Sequence, residues 1–101
     1  MRRVLFTLVL AAACITPALA NMEMAKKNNC LGCHAIESKL VGPSFKDVAE
    51  KYRDDKGAAA QLALKVRKGG AGVWGPMAMP ANAQVSEADA QKLVAWVLTL
   101  K

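Results

Sequence analysis

Two cysteines and a histidine lie close together in the first third of this 101-residue chain, at Cys30, Cys33 and His34. Two thiols one helical turn apart can each form a thioether with a vinyl group on one edge of a porphyrin, and the adjacent imidazole can then bind the iron. The Cys-x-x-Cys-His spacing is the signature of covalent c-type haem attachment. The sequence therefore predicts one haem c with its iron, held by Cys30 and Cys33 and ligated axially by His34.

Other chemistries of paired cysteines fit the sequence less well. A thioredoxin-like pair would need a surrounding βαβ pattern, and we find no strand pattern nearby. A disulfide between Cys30 and Cys33 would close a very short loop and stabilise the fold little. A zinc site would need a second pair of ligands, whereas His34 is the only histidine and the third cysteine, Cys14, lies in a segment that we expect to be removed.

A haem iron also needs a sixth ligand or an open face, and methionines are the candidates in this chain. The two methionines before Cys30 are too close to it to reach the opposite side of the ring. Met77 and Met79 lie in Gly75–Pro80, where two prolines fix φ and remove backbone donors. We interpret this segment as an extended strap that carries the sixth ligand, Met77 or Met79. A connecting loop with packed methionines is the alternative.

Four helices and no strands are predicted around these residues, so the expected fold class is all-α. Ser44 and Ser86 are predicted N-caps, because each is followed three residues later by an aspartate. Gly69-Gly70 is a predicted helix stop, and apolar residues recur at helical spacing. The helices are predicted over residues 22–33, 44–52, 58–68 and 86–101. Their apolar faces are expected to pack on one another and around the haem.

Composition and charge exclude several classes of protein. The length allows one small domain, and a core of this size is commonly completed by a cofactor, a metal or disulfides. The formal net charge is +6, but the basic residues are interleaved with acidic ones and do not form the dense stripe of a nucleic-acid binder. A mildly positive surface that attracts an acidic protein partner is the better interpretation. The glycine-rich run 69–72 lacks the spacing of a phosphate-binding loop and is interpreted as a flexible connection.

The first twenty residues have the layout of a secretory signal peptide. Arg2-Arg3 is followed by an apolar run, and Ala18-Leu19-Ala20 supplies small residues at the cleavage site. The apolar run is shorter than the ~20 residues of a membrane-spanning helix, so no span is expected. We predict that residues 1–20 are cleaved and that a single domain, residues 21–101, is exported to the periplasm. Lipoprotein processing at Cys14 is the alternative.

The order and spacing of these motifs resemble those of small bacterial class I cytochromes c of the c-551/c-552 type. The resemblance covers nearly all of residues 24–101. The matching segments are Cys30–His34, Val41–Pro43, Gly72–Pro76, Met79-Pro80, Asn82 and Trp96–Leu98. The resemblance implies the class I cytochrome c fold, in which about four helices wrap one covalently bound haem.

Individual roles also follow from this resemblance. Met79 matches the axial methionine, and Pro43 matches the proline whose carbonyl accepts a hydrogen bond from the haem histidine. Trp74 matches the tryptophan whose indole N–H meets a haem propionate. Lys65 stands where relatives often carry an arginine beside a propionate. Asn82 matches the side chain that donates toward the methionine sulfur.

Besides Lys65, two further positions depart from the family pattern. Ala78 stands where a proline often precedes the axial methionine, which loosens the strap and leaves Met77 as a competing ligand. Ala25 stands where relatives carry a larger apolar residue against the last helix, so that contact is expected to be thinner.

The resemblance implies a diffusible, monomeric electron carrier and not an enzyme, with the iron cycling between Fe(III) and Fe(II) under His/Met ligation. Such proteins dock weakly and briefly on redox partners. A bc1-type complex as donor, and a terminal oxidase or a nitrite reductase as acceptor, are the implied partners. Two alternatives stay open: a catalytic or gas-binding haem protein with an open distal face, and a haem subunit resident in a larger complex.

Overall fold

The computed structural model describes residues 16–101 and contains four α-helices and one short 3₁₀ helix. These are α1 (Pro17–Lys27), the 3₁₀ helix (Cys30–Gly32), α2 (Phe45–Lys51), α3 (Ala58–Lys68) and α4 (Glu87–Leu98). Between residues 16 and 101 no strand is formed, although two isolated β-bridges pair His34 with Lys39 and Gly70 with Met79. The predicted all-α class is confirmed.

The predicted signal peptide overlaps only slightly with the described part of the chain. Residues 1–15, with Cys14 among them, lie outside it. Helix α1 begins at Pro17, so the predicted cleavage point after Ala20 falls in its first turn, where Ala18, Leu19 and Ala20 are exposed. Among the helices from residue 16 onward, none combines the length and the apolar character needed to cross a membrane.

The first helix ends earlier than predicted. A continuous helix over 22–33 is wrong, because α1 stops at Lys27 and Asn28 caps it, donating its side-chain amide to the Met24 carbonyl at 2.9 Å. Asn29 then takes a left-handed conformation, with φ 62°, which asparagine tolerates better than most residues. The two cysteines are therefore presented by a separate, tighter turn.

The other helix boundaries follow from local signals. The Ser44 Oγ accepts the Asp47 N–H at 3.0 Å, and the Ser86 Oγ accepts the Asp89 N–H at 3.1 Å, so both predicted N-caps are present. Helix α3 ends at Gly69, as predicted. Helix α4 is shorter than predicted and ends at Leu98.

Helix α4 lies at the centre of the fold. Among the described elements, α1, α2 and α3 each pack on α4 and not on one another. The buried core contains Ala25, Phe45, Ala63, Val85, Ala90, Leu93, Val94, Trp96 and Val97. Because α2 and α3 do not meet, a deep apolar cavity remains between them and α4.

Candidate functional site

The single histidine is held in one orientation by a backbone carbonyl. The His34 Nδ1 lies 2.7 Å from the Pro43 carbonyl oxygen. A carbonyl can only accept, so this contact assigns the proton to Nδ1 and leaves Nε2 with a free lone pair. The hydrogen bond is the one that the resemblance implies for these two residues. It prepares the imidazole to bind a metal through Nε2.

Two further contacts fix the plane of the His34 ring. On one side, the ring stacks on Phe45, with centroids 5.2 Å apart and planes 23° apart. Phe45 in turn meets Trp96 of α4 edge to face at 5.7 Å. The ring also lies against Gly42, where a Cβ would be 2.5 Å from the His34 Cε1. Glycine at position 42 is therefore a requirement of the histidine position.

Cys30 and Cys33 are free, half-buried thiols at the wall of the cavity. The 3₁₀ turn places them there, since the Cys33 and His34 N–H groups both donate to the Cys30 carbonyl, at 3.2 and 2.9 Å. Burial raises the pKa of the Cys30 thiol above its ordinary value, against a smaller opposing effect of a backbone hydrogen bond. Cys30 is therefore a neutral thiol near neutral pH in the absence of a haem.

The cavity brings most of the predicted site residues together. Its wall includes Cys30, Cys33, His34, Pro43, Lys65, Trp74 and Met79. The rest of the wall is largely apolar, with contributions from Phe45, Val48, Leu62, Val66, Leu93, Val94 and Val97. Asn82 is the one predicted site residue that is not part of this wall. Residues far apart in sequence thus converge on the wall of one cavity.

Met79 is held by its backbone, whereas Met77 is not. The Met79 N–H donates to the Gly70 carbonyl at 2.7 Å, and the Gly70 N–H donates to the Met79 carbonyl at 3.0 Å. Met79 is half-buried, and Met77 is 68% exposed although it also reaches the cavity wall. Within the glycine-rich run 69–72, which was interpreted as a flexible connection, Gly70 pairs with the strap.

Asn82 fastens the end of the strap to helix α3. Its backbone N–H and its side-chain amide both donate to the Val66 carbonyl, at 3.1 and 3.2 Å, and the same amide lies 3.3 Å from the Pro80 carbonyl. These bonds run to backbone oxygens. The donation toward the Met79 sulfur that the resemblance implies stays a prediction.

Trp74 and Lys65 supply polar groups at the cavity wall. Trp74 is 39% exposed, and the Lys51 ammonium lies 5.5 Å from its ring centroid. Lys65 is half-buried on α3, and its stem passes against Gly70, where a Cβ would be 3.2 Å from the Lys65 Cε. An indole N–H and an ammonium are suitable partners for carboxylates at the edge of an otherwise apolar ligand.

These side chains fit a haem c. A flat apolar macrocycle needs an apolar cavity between facing elements, and the wall described above provides it. Two thiols at the attachment spacing, an imidazole with a free Nε2 and a thioether all belong to the same wall, which is the donor set of a low-spin c-type haem.

Comparison with known proteins decides the family. A family model described as cytochrome c matches residues 18–101. The chain belongs to the cytochrome c family. This cytochrome c carries one covalently attached haem c with its iron, and it is an electron-transfer protein and not an enzyme.

Its relatives carry the names of the predicted subgroup. It is 54% identical over 84 residues to cytochrome c-552 of Nitrosomonas europaea, covering 83% of this chain and 82% of that one. It is 43% identical to cytochrome c-552 of Hydrogenobacter thermophilus over 101 residues, the full length of both. Cytochrome c-551 of Pseudomonas aeruginosa is 51% identical over 76 residues, with coverage of 75% and 72%. The resemblance to the c-551/c-552 type is confirmed.

Solved structures confirm the class I fold. The crystal structure of wild-type Nitrosomonas europaea cytochrome c552 matches this cytochrome with a TM-score of 0.78 at 54% identity, covering 79% of this chain and 99% of that one. The class 1 cytochrome MtoD from Sideroxydans lithotrophicus ES-1 matches with a TM-score of 0.68 at 34% identity, covering 80% and 92%.

Three residues that contact the predicted site residues were not given a role in the sequence analysis. Gly42 makes room for the His34 ring, Gly70 pairs with the strap, and Lys51 lies over Trp74. Gly42 stands beside Pro43 and Gly70 follows a helix stop, so glycines next to a motif were the available signal. No local pattern in the sequence connects Lys51 with Trp74.

Proposed function

We propose that this cytochrome c is an exported, periplasmic carrier of single electrons, with His34 and Met79 as its axial iron ligands. The observation that carries the proposal is that His34 and Met79 belong to the wall of one apolar cavity that also contains both thiols. When bound, the haem supplies a one-electron Fe(III)/Fe(II) couple.

The proposed role of His34 follows from its hydrogen bond. Pro43 holds the proton of the neutral imidazole on Nδ1, so the Nε2 lone pair is the one available to the iron. The same bond increases the electron-donating strength of the imidazole. The stack on Phe45 and the contact with Gly42 keep the ring from turning.

The proposed role of Met79 follows from its anchored backbone. The paired bonds with Gly70 fix the residue, and Asn82 ties the following segment to α3. A thioether ligand favours the reduced iron and raises the reduction potential, and it leaves no position for a substrate. Trp74 is proposed to donate a hydrogen bond to a haem propionate, and Lys65 is proposed to neutralise the charge of a propionate.

The surface around the cavity is proposed to dock redox partners. Val41, Val73 and Met77 are exposed and belong to the cavity wall, and Lys39 is an exposed lysine of the same wall. An apolar patch with the Lys39 ammonium beside it suits brief contact with an acidic protein surface. A bc1-type complex as donor, a terminal oxidase or nitrite reductase as acceptor, and a monomeric carrier are proposed on the family resemblance.

Export is proposed to remove residues 1–20. Cleavage after Ala20 would take away Ala18 and Leu19, which are exposed, and would leave Ala25, the buried contact residue of α1, in place. Mass spectrometry of the protein from a periplasmic extract tests this, with a mature chain beginning at Asn21 as the expected result. A mature chain beginning at an acylated Cys14 would contradict it.

The ligand assignment is tested by the visible spectrum of the oxidised protein produced with a c-type maturation system. A weak far-red band from a methionine–Fe(III) bond is expected, and it should be lost in Met79→Ala and kept in Met77→Ala. Absence of the band in the parent protein, together with ready carbon monoxide binding after reduction, would show an open distal face and overturn the carrier proposal.

A further inference from the structure

Residues 70–79, here called the methionine loop, are closed at the base and weakly attached at the tip. The base is the pair of hydrogen bonds between Gly70 and Met79. The tip carries Trp74 between Gly72 and Gly75, which have left-handed φ values of 97° and 116°. The Gly72 N–H donates to the Gly75 carbonyl at 3.0 Å. Within residues 16–101, no hydrogen bond connects 71–78 with the rest of the protein.

One charged side chain reaches this tip from another element. Lys51 is the last residue of α2, and its Nζ lies 5.5 Å from the Trp74 ring centroid and 5.9 Å from that of Tyr52. Both distances are within the ~6 Å range in which an ammonium is attracted by the face of an aromatic ring, and tryptophan is the strongest partner. The Lys51 ammonium therefore lies close to the Tyr52 ring, directly after α2, and to the Trp74 ring on the methionine loop.

We propose that Lys51 is a positioning residue for Trp74. Its ammonium holds the tip of the methionine loop against α2 and thereby keeps the indole at the cavity wall. The functional part of the inference rests on the proposed function, in which Trp74 contacts a haem propionate. The contact itself joins two described side chains and does not depend on which group ligates the iron.

The test measures solvent exchange of the Trp74 indole N–H by NMR in the reduced, ¹⁵N-labelled holoprotein. Lys51→Gln removes the charge and is expected to speed this exchange about two- to fivefold, because a cation–π contact at an exposed site is worth ~0.5–1 kcal/mol. Lys51→Arg keeps a cation over the ring and is expected to restore the parent rate.

Lys68→Gln is the matched control. Lys68 is exposed and is the last residue of α3, so its replacement also removes one positive charge from a helix C-terminus. The indole of Trp96, which is buried in the core, is the internal reference for global opening. Equal Trp74 exchange in Lys51→Gln and Lys68→Gln would overturn the proposal. So would a parallel rise at Trp96, or a failure of Lys51→Arg to restore the rate.

The same samples separate this inference from the proposed function. A missing far-red band in the parent protein overturns methionine ligation and leaves the indole comparison unaffected. A present band with identical indole exchange in both glutamine variants overturns the role of Lys51 alone.

Discussion

Gly69 passes so close to Met79 that a Cβ on Gly69 would lie 2.5 Å from the Met79 carbonyl oxygen. Gly69 also has a φ of 76° and a ψ of −176°, a conformation that is strained for every residue with a side chain. The end of α3 and the methionine loop can therefore meet only through a glycine. This contact sets the distance between α3 and the proposed iron ligand.

Gly69→Ala is expected to destabilise the protein more than Gly72→Ala. Both residues have positive φ, but a Cβ on Gly72 would meet nothing within 4 Å. In each variant, backbone strain lowers the free energy of unfolding by ~1–3 kcal/mol. In Gly69→Ala, overpacking lowers it by a further ~1–3 kcal/mol. Denaturant unfolding of the two holoproteins measures the difference. Equal unfolding free energies would show that the strap moves away without cost.

Gly42→Ala is expected to displace the His34 ring and to lower the free energy of unfolding by ~1–3 kcal/mol. The added methyl would lie within 3 Å of two ring atoms, and the ring is also stacked on Phe45. Gly32→Ala is the control, because a Cβ there meets nothing within 4 Å. NMR exchange of the His34 Nδ1 proton reports the displacement. If the His34 Nδ1 proton exchanges at the parent rate in both variants, position 42 does not require a glycine.

Ser44→Ala is expected to cost more stability than Ser86→Ala. Both hydroxyls cap a helix, but Ser44 is 1% exposed, whereas Ser86 is exposed. Loss of a cap costs ~0.5–2 kcal/mol, and the part-buried position of the Ser44 cap puts Ser44→Ala near the upper end. Thermal and denaturant unfolding of the two variants under identical conditions provide the comparison, and the reverse order would contradict it.

Lys46→Gln is expected to raise the pKa of Glu37 towards its ordinary value. The Lys46 Nζ donates to the Glu37 Oε1 at 2.8 Å, and this hydrogen bond, followed by the charge of Lys46, lowers the Glu37 pKa. A carboxyl group whose pKa is lowered in the folded protein stabilises the fold at pH values above its ordinary pKa. This stabilisation is lost as the pH falls through the lowered pKa. Stability at neutral pH should hardly change, because the pair is exposed.

Carboxyl NMR titration of Glu37 checks this prediction, with Lys56→Gln as the control. Lys56 is exposed and does not contact Glu37 in an ion pair. A Glu37 pKa that is the same in the parent and in Lys46→Gln would show that the pair does not persist in solution.

Features that depend on near neighbours in the chain were predictable from the sequence. Helix α3 occupies the predicted residues because helix-forming residues continue from Ala58 to Lys68 and Gly69 then stops the helix. Ser44 and Ser86 are N-caps, as the aspartates three residues after each of them indicated. The haem motif was predictable because its chemistry fixes its spacing. The early end of α1 was not, since it depends on Asn28 and Asn29 leaving the helix together.

Contacts between distant segments could not be derived from local patterns. The pairing of Gly70 with Met79 and the Lys51–Trp74 contact join elements whose approach is set by packing on α4. The His34–Pro43 hydrogen bond was anticipated through the family resemblance and not through composition or periodicity. Sequence reasoning thus identified the reactive groups, and the structure added the backbone contacts that hold them.

The central place of α4 has a consequence for the order of assembly. Because α1, α2 and α3 pack on α4 and not on one another, none of them has another α-helix to pack against until residues 87–98 are available. A chain that is synthesised or translocated from its N-terminus therefore keeps its first three helices unpaired for most of that time. We therefore expect both cysteines to stay accessible for haem attachment until α4 completes the core.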